Sequence, residues 1–423
     1  MNVLLIGGGG RESAIAWKIS QSKLLSKLYI SPGNGGTSAF GTNIPELSIQ
    51  ESIHFAHQNK VSLTIVGPEA PLIDGIVDEF KKNNLTIFGP TKSASNIEGS
   101  KIWAKYLFNK YSIPCAKSTQ FSNLESSLEF FNNNNPSEWV IKVNGIASGK
   151  GVFLPESLED ANEALKEIFI ENKFGKSGEE ILIEERLYGT EVSVFALVNN
   201  KDVSNCIPAC DYKRIFDGDV GPNTGGMGAI SPPPFWTSDM EEKIKKNIII
   251  PTVEAMANEG CPYTGILFAG LIITKKGIKV LEFNCRFGDP ETQVFMPRIK
   301  SDLLEILIKS SRPPFNENIH IELESTYSTG VVLASNGYPG KYIPNKEIAG
   351  LSDSNEEFNS IVFHAGTKLN NLSKIYTDGG RVLICVGLGK DYKESKELAY
   401  KKIRSVKFDG MYYRKDIGEN RDL

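Results

Sequence analysis

Cysteine and histidine are scarce in this sequence, and neither residue type is grouped. The 423 residues include six cysteines without a C-x-x-C pair, and the four histidines lie apart from them. Because a protein zinc site is built from clustered thiolate and imidazole ligands, this pattern argues against one. Scattered cysteines also favour a reducing compartment, and we expect the cytoplasm.

The chain also lacks an excess of positive charge and a long apolar run. Lysine and arginine total 47 against 51 acidic residues, which gives a formal net charge of −4. A general nucleic-acid binder is normally basic, so no nucleic-acid partner is expected. The apolar run VLLI at positions 3–6 has no basic leader and is too short for a signal sequence or a membrane span.

Short apolar strands alternate with helical segments over residues 1 to about 100. The strand patterns are VLLI (3–6), LYI (28–30), LTIV (63–66) and TIF (86–88), and each runs into a turn rich in glycine or proline. This alternation predicts a doubly wound parallel sheet, in which ligands bind along the edge where the strands end. The turn GGGGRE (7–12) opens a helix and suits an anion, although close helix–sheet packing is an alternative reason for its glycines.

A dinucleotide-binding motif does not fit that first turn. In the pattern G-x-G-x-x-G, Glu12 or Ser13 falls at the third glycine, and Ser31 stands where an acidic residue would hold a ribose. The sequence therefore argues against a nicotinamide-dependent oxidoreductase.

A second glycine-rich stretch, NGIASGKGV (144–152), follows the apolar run WVIKV. The Walker A pattern does not fit, because only three residues separate Gly145 from Gly149, and Gly151 stands where a hydroxyl should meet Mg²⁺. Exposed N–H groups in such a loop can still cover a phosphate. A tight hairpin turn is the alternative, and the loop alone does not decide between the two.

The stretch KVLEFNCRFGDPETQ (279–293) carries the strongest chemical signal. Glu282 and Asn284 are two residues apart in a predicted strand and so point to the same face. A carboxylate and an amide oxygen on one face suit Mg²⁺, which completes its shell with water and phosphate. Arg286 shares their parity if the strand continues, and it can neutralise a phosphoryl group or an oxyanion.

The stretch ILIEERLYGTE (181–191) predicts a strand end followed by Leu187 and Glu191. Such a strand end can offer backbone groups to an adenine edge, and a later carboxylate can accept both ribose hydroxyls. Lys142 lies between apolar strand residues just before the glycine-rich loop, which favours an anion as its partner. Lys105 is a weaker signal, because by itself it would be interpreted as an ordinary solvated lysine on a helix.

In this order, these residues resemble the ATP-grasp ligases, and within them the phosphoribosylamine–glycine ligase family. The motifs that carry the resemblance span almost the whole chain: GGGGRE (7–12), SPGNGGT (31–37), IVGPEAPL (65–72), IFGPT (87–91), EGSK (98–101), GKGV (149–152), DYKR (211–214), GPNTGGMGA (221–229), YTGILFAGL (263–271), EFNCRFGDPETQ (282–293), FHAGTK (363–368), GGRVL (379–383) and RKDIG (414–418).

The resemblance implies a role for each matching residue. ATP would contact Lys105, Lys142, Gly149, Lys150, Gly151, Glu184, Glu185, Leu187 and Glu191, with the glycine-rich loop as its lid. Mg²⁺ or Mn²⁺ would bind Glu282 and Asn284. The catalytic residues would be Arg286, Lys142, Lys213 and Asp211. The substrates would contact Gly9, Gly10, Arg11, Glu12, Pro68, Glu69, Arg214, Asn223, Asp289 and Glu291.

The sequence departs from the family pattern at a few positions. Ser13 stands where histidine is frequent, Val143-Asn144 replaces Ala-Asp, and Cys210 replaces a usual glutamine. The strand AGLIIT also lacks the acidic metal ligand that many ATP-grasp relatives carry before Glu282. Because Ser13 replaces the frequent histidine, no role of that histidine side chain can be carried over to this chain.

The implied reaction joins glycine to 5-phosphoribosylamine with ATP, through glycyl phosphate, in purine biosynthesis; another ATP-grasp carboxylate–amine ligase is the alternative. The implied architecture is α/β and α+β: a Rossmann-like domain over 1–104, an ATP-grasp domain over 105–325 with a lid at about 117–190, and a small β-rich C-terminal domain over 326–423. We expect a monomer with small-molecule substrates.

Overall fold

The computed structural model describes residues 1–146, 151–311, 319–351 and 359–419. Its strands begin with β1 (Asn2–Gly7), β2 (Lys27–Pro32), β3 (Thr42–Asn43), β4 (Val61–Val66), β5 (Ile87–Phe88), β6 (Ser118–Phe121), β7 (Trp139–Val143), β8 (Val152–Phe153), β9 (Ile181–Glu185), β10 (Thr190–Asn199), β11 (Asp202–Val203) and β12 (Ile207–Asp211). They continue with β13 (Arg214–Phe216), β14 (Val220–Asn223), β15 (Gly228–Ser231), β16 (Thr264–Thr274), β17 (Gly277–Asn284), β18 (Tyr327–Ser335), β19 (Ser360–His364), β20 (Thr367–Leu369), β21 (Ile375–Thr377), β22 (Arg381–Gly389) and β23 (Met411–Tyr412).

The helices are fewer and mostly short. They are α1 (Gly10–Ile19), α2 (Ile49–Gln58), α3 (Glu69–Asp74), α4 (Ile76–Lys82), α5 (Lys92–Gly99), α6 (Lys101–Lys110), α7 (Leu124–Asn132), α8 (Leu158–Phe169), α9 (Ser238–Ile244), α10 (Ile250–Asn258), α11 (Glu291–Phe295), α12 (Leu303–Ser310) and α13 (Tyr392–Ile403). A π-helical turn, Lys245–Ile249, joins α9 to α10. Within the described residues, none of the helices has the length and apolar character needed to cross a membrane.

The N-terminal region forms a five-stranded sheet in the order β3-β2-β1-β4-β5. Every neighbouring pair is parallel, as the alternation of strands and helices predicts. Val3, Leu4 and Leu5 are fully buried, which is typical of a parallel strand covered on both faces. The turns after β1 and β4 therefore meet at one edge of this sheet.

A small four-stranded sheet, ordered β6-β9-β7-β8, forms a separate layer that we call the lid. Ile141, Val143, Ile181 and Ile183 pack with residues of α7 and α8 in one apolar cluster. Because side chains alternate along a strand, Lys142 and Glu184 are placed on the opposite face of this sheet. The lid thus turns its ionic face away from its own helices.

The central sheet has ten strands, with the path β17-β16-β10-β12-β15-β18-β22-β19 and with β11 and β23 at its side. Its pairs are antiparallel, and β10 and β16 pair along Thr190–Asn199. The C-terminal strands β18, β19 and β22 continue this sheet through β15 instead of forming a sheet of their own. This continuity was not expected from the sequence, and the proposed boundaries at 104/105 and 325/326 stay predictions.

Candidate active site

The candidate site lies where the lid, the central sheet and the edge of the N-terminal sheet meet. Lys142 marks the contact between the first two, since its Nζ donates to the backbone oxygen of Leu281 in β17 at 3.3 Å. Arg286 marks the contact with the third, since its Nε donates to Glu69 Oε2 at the start of α3, 2.9 Å away. The chain therefore gathers side chains from all three layers in one cleft.

Two buried lysines share one carboxylate beneath the lid. Glu184 Oε2 lies 3.0 Å from Lys142 Nζ, and its Oε1 lies 3.5 Å from Lys105 Nζ on α6. All three side chains are almost fully buried. Burial lowers the pKa of Lys142, but Glu184 and then Glu282 outweigh it, so the pKa stays above its usual value. Lys142 is therefore held as a cation beneath the lid.

Glu282 and Asn284 lie on the same side of β17. Their strand partners are Gly270 and Phe268 of β16, in regular register across these residues. Burial raises the pKa of Glu282, but the positive charges of Lys101, Lys213 and Lys142 lower it by more. The net pKa lies below its usual value, so the carboxylate is held ionised. An ionised carboxylate and an amide oxygen two residues apart fit Mg²⁺, which needs few protein ligands when phosphate and water supply the rest. Among the described residues there is no cluster of three or more His, Cys, Asp or Glu suited to a metal.

Arg286 follows the end of β17, so the argument from strand parity does not apply to it. Its guanidinium instead turns back to donate to Asn284 Oδ1 at 3.2 Å and pairs with Glu98 Oε1 at 3.0 Å and with Glu69. Glu98 also accepts the backbone N–H of Cys285 at 2.7 Å. Burial lowers the pKa of Arg286, but Glu98 and Glu69 raise it further, so the group remains a cation.

The glycine turn before α1 is closed by its own acidic residue. Glu12 accepts from the backbone N–H of Gly9 and from Arg11 Nε, both at 2.6 Å. Arg11 also donates to the backbone oxygen of Phe287 at 3.1 Å, and its N–H lies 3.3 Å from Asp289 Oδ2. Gly10 begins α1, and the start of this helix lies against Asp289 and Gln293. Pro68 caps α3 at the neighbouring turn.

The loop after β12 brings a second group of polar residues to the cleft. Lys213 Nζ lies 2.6 Å from Glu191 Oε2 at the start of β10. Arg214 and Asn223 face each other across the β13–β14 pair, and Arg214 Nη1 donates to the backbone oxygen of Gly221 at 2.7 Å. Both line an open groove of about 1060 Å³, whose opposite wall includes Phe153 and Glu156; Lys142, Glu282 and Asn284 are not among the residues that line this groove.

Glu291 is a buried carboxylate beside Asp211. Ser193 Oγ donates to its Oε1 at 2.9 Å, and the residue is only 4% exposed. Burial and the negative charge of Asp211 raise the pKa of Glu291 to about 7. The nearby carboxylate of Asp289 behaves oppositely: burial raises its pKa, but Arg381 and Arg11 lower it further.

Several residues of the site were not assigned a role from the sequence. Glu98 and Lys101 lie in the EGSK motif, and Lys101 Nζ donates to the backbone oxygen of Gly145 at 3.0 Å. Arg381, in the GGRVL motif, bonds the backbone oxygens of Gly225 and Asp289. Gln293 donates to Asp289 Oδ1 at 2.8 Å, whereas its own Oε1 is buried without a hydrogen-bond partner. Membership of these motifs was the one signal that pointed to them.

Other residues predicted for the site make fewer contacts with its charged side chains. Leu187 follows β9 and is half-buried, and Glu185 lies 3.9 Å from Lys279. Gly149 and Lys150 fall outside the described residues, whereas Gly151 accepts the backbone N–H of Val143 at 3.0 Å. The strands on either side of the loop pair as a hairpin, with Lys142 opposite Val152. Whether the loop covers a phosphate stays a prediction.

The fold and the site together define a class. A small lid sheet carries a buried lysine toward an antiparallel sheet with a metal-suited Glu-x-Asn, and a Rossmann-like domain closes one side. This is the architecture of the ATP-grasp ligases that the sequence resembles, and the predicted fold class is confirmed.

Comparison with known proteins gives the family. Residues 1–98, 99–292 and 328–420 match the N, ATP-grasp (A) and C domains of phosphoribosylglycinamide synthetase. The chain is 46% identical to a phosphoribosylamine–glycine ligase of Caldanaerobacter subterraneus over 99% of both chains, and 43% identical to one of Yersinia pestis over 99% of this chain and 98% of that one. The crystal structure of a phosphoribosylamine–glycine ligase from Thermotoga maritima superposes with a TM-score of 0.85 at 32% identity, covering 99% of this chain and 100% of that one. The chain belongs to the phosphoribosylglycinamide synthetase family.

Removing the carboxylate of Glu184 should destabilise the protein. Glu184→Gln keeps the side-chain volume but removes the carboxylate that Lys105 and Lys142 share, and breaking a buried ion pair costs about 3 kcal/mol or more. We expect a clear fall in the urea midpoint of the transition that unfolds the ATP-grasp region. The matched control is Glu185→Gln, because that side chain is more exposed and its ion pair is long. Equal midpoints for the two variants would show that Glu184 does not neutralise the lysines.

The pKa of Glu291 predicts a pH-dependent stability. The unfolded carboxyl ionises near 4.5 and the folded one near 7, so the wild type loses stability as pH rises through this window. Glu291→Gln removes that loss, and its stability relative to wild type should rise by about 2–3 kcal/mol between pH 4.5 and 7 and then level off. Urea titrations at several pH values measure this difference. The exposed Glu242→Gln is the control, and a flat difference for Glu291→Gln would contradict the assignment.

Proposed function

We propose that this chain joins glycine to 5-phosphoribosylamine, with conversion of ATP to ADP and phosphate, and so makes glycinamide ribonucleotide in purine biosynthesis. The observation that carries the proposal is the approach of Lys142 from the lid to β17, beside Glu282 and Asn284, at the junction with the N-terminal glycine turn. The family to which the chain belongs supports the same reaction.

ATP is assigned to the space between the lid and β17. Lys142 and Lys105 meet the phosphates, and Glu184 keeps the two cations in place before the nucleotide arrives. The segment from Glu184 and Glu185 to Leu187 offers its backbone to adenine, and Glu191 accepts the ribose hydroxyls. Gly149, Lys150 and Gly151 belong to the loop that closes over the phosphates.

The metal proposed here is Mg²⁺, with Mn²⁺ as a substitute. Glu282 and Asn284 would hold it, and it would lower the negative charge of the phosphates during transfer. The arrangement of Glu282 supports this, because three lysines keep its carboxylate ionised. Arg286 donates to the side-chain oxygen of Asn284 and so fixes the direction of that oxygen.

The chemistry needs an activated carboxyl group, because a carboxylate is a poor electrophile. An oxygen of the glycine carboxylate attacks the γ-phosphorus, and ADP leaves with the electrons of the broken P–O bond. The amine of phosphoribosylamine then attacks the carbonyl carbon of glycyl phosphate, and phosphate leaves with the former carboxylate oxygen. Lys142, Lys213 and Arg286 stabilise the charge that develops on the oxygens. Asp211, beside Glu291, is placed to accept a proton or bind an ammonium group.

Phosphoribosylamine is assigned to the edge of the N-terminal sheet. Gly9, Gly10 and Arg11 lie at the start of α1, where a helix N-terminus favours an anionic phosphate, and the phosphate would take over the N–H groups of Gly9 and Arg11 that now donate to Glu12 and Asp289. The buried Oε1 of Gln293, which lacks a partner, supplies an acceptor for a hydroxyl or amine at the same place. The carboxylates of Glu12, Glu69 and Asp289 and the cleft residues Arg214 and Asn223 complete the substrate surface.

Some finer features belong to the same proposal. We infer a monomer that works in the cytoplasm, a compartment supported by six cysteines that are all free thiols. The domains proposed are 1–104, 105–325 and 326–423, close to the segments that match the family.

An acceptor screen tests the function. With ATP, Mg²⁺, glycine and freshly made phosphoribosylamine, we expect phosphate and glycinamide ribonucleotide to form in equal amounts, and omission of either substrate to stop product formation. Alanine or another amino acid in place of glycine, and simple amines in place of phosphoribosylamine, are the matched controls. Efficient turnover with another carboxylate–amine pair, and none with this one, would favour the alternative ligase.

The metal assignment predicts a specific defect in Glu282→Gln. Replacing a carboxylate with an amide removes a charged ligand, and we expect the Mg²⁺ concentration for half-maximal rate to rise about tenfold or more, because a charge-assisted contact is worth about 1.5–3 kcal/mol. The measurement is initial rate against Mg²⁺ concentration. Glu254→Gln, an exposed position on α10, is the control. Unchanged Mg²⁺ dependence with near-normal turnover would refute the assignment.

A further inference from the structure

The RKDIG motif (414–418) has no role in the reaction described above, yet it contains the most deeply buried arginine of the described chain. Arg414 is 1% exposed, although it lies close to the C-terminus. Its guanidinium makes a two-point ion pair with Asp416, with Nε to Oδ1 at 2.8 Å and Nη2 to Oδ2 at 2.6 Å. A buried cation of this kind needs a reason beyond packing, because its desolvation is costly.

The third nitrogen of the Arg414 guanidinium, Nη1, faces the β13–β14 hairpin. Nη1 donates to the backbone oxygen of Arg214 at 2.9 Å and to Asp219 Oδ1 at 3.1 Å. The guanidinium also lies over the ring of Tyr212, 5.2 Å from its centroid. The Arg414 side chain therefore contacts Arg214 in β13, Asp219 in the turn and Tyr212 just before the hairpin.

The neighbours of Arg414 hold the hairpin turn as well. Asp416 Oδ2 accepts the backbone N–H of Gly218 at 2.9 Å, and Asp217 Oδ1 accepts the backbone N–H of Lys415 at 2.8 Å. Gly218 and Asp219 both have positive φ, so the turn is a conformation that costs energy for a residue other than glycine. The C-terminal segment thus supplies the polar partners that keep this turn in place.

Apart from these polar contacts, the described residues hold the hairpin through one small apolar cluster and a ring contact between Phe216 and Tyr412, 6.3 Å between centroids. A two-stranded hairpin is marginal by itself in water. Phe216 and Val220 are exposed, and Ile215 is the residue of β13 that is buried in an apolar cluster, with Met227 and Ala334. Tyr412 adds one hydrogen bond, from its hydroxyl to the backbone oxygen of Ile215 at 3.0 Å. Polar anchors therefore determine where the hairpin lies.

We propose that Arg414 is a positioning residue for the ligation: it fixes the β13–β14 hairpin so that Arg214 and Asn223 face the substrate cleft. This inference rests on the proposed function, because it assigns Arg214 and Asn223 to substrate binding. Arg414 acts through the backbone oxygen of Arg214, whereas Lys105, Lys142 and Glu282, which we assign to ATP and metal, belong to other elements.

The test compares Arg414→Lys, Asp219→Asn and Lys415→Ala by steady-state kinetics. Lysine keeps the positive charge but loses the planar fork that reaches Asp416, Asp219 and the backbone at once. Asparagine tolerates the positive φ at position 219 and removes only the charge. Lys415→Ala is the matched control, since the Lys415 side chain is exposed and its backbone N–H remains.

We expect Arg414→Lys to raise KM for glycine or phosphoribosylamine about tenfold to a hundredfold, while KM for ATP changes less than threefold. Asp219→Asn should shift the same KM in the same direction by a smaller factor, and it keeps the test decisive if the arginine variant folds poorly. Amide hydrogen exchange should speed up across residues 212–223 in both variants, with β10 and β16 unchanged. Lys415→Ala should match wild type in every measurement.

The possible outcomes distinguish a failure of the role proposed for Arg414 from a failure of the proposed function. Equal changes in all KM values, or unchanged exchange across 212–223 in both variants, would overturn the role of Arg414. Absence of glycinamide ribonucleotide with the wild type would instead overturn the proposed function, and the exchange experiment would still decide whether Arg414 holds the hairpin.

Discussion

The site depends on one buried cation, Arg286, which joins the N-terminal sheet to the central sheet. Its guanidinium pairs with Glu69 at the start of α3 and with Glu98 at the end of α5, and it also holds the side-chain oxygen of Asn284 at the end of β17. Because removing one partner of a buried ion pair leaves the other charge uncompensated, these three elements are constrained to one relative position. The metal-suited pair on β17 and the N-terminal glycine turn are consequently held at a fixed separation.

A second ionic group lies beneath the lid, on the side to which we assign the nucleotide. Glu184 pairs with both Lys105 and Lys142, so the two lysines have a counter-charge while they are buried. If ATP binds here as proposed, its phosphates would offer the same lysines additional negative charge. Preorganised charge of this kind stabilises a transferring phosphoryl group without reorganisation at the moment of reaction. The C-terminal region contributes Arg381, which bonds the backbone oxygens of Gly225 and Asp289, and Arg414, which bonds the β13–β14 hairpin.

The sequence was sufficient for the layers and for part of the site. Alternation of strands and turns predicted the parallel N-terminal sheet, and the two-residue spacing of Glu282 and Asn284 predicted their common face, because both signals are local. The partners of Arg286 were not predictable, since they come from α3 and α5, far away in the sequence. The side chain of Glu184 was likewise missed: the sequence pointed to its backbone, whereas the fold places the carboxylate between two lysines. The continuity of β18 with β15 also depends on tertiary pairing, which has no local signal.

The central claim is that the glycine carboxylate is activated by direct transfer of the γ-phosphoryl group. Glycine labelled with ¹⁸O in both carboxylate oxygens tests it, with mass analysis of the phosphate and of the glycinamide ribonucleotide formed in one reaction. The account predicts one labelled oxygen in each phosphate and one in each amide product, since the bridging oxygen of glycyl phosphate leaves with phosphorus. Phosphate that carries no oxygen from glycine would contradict the account.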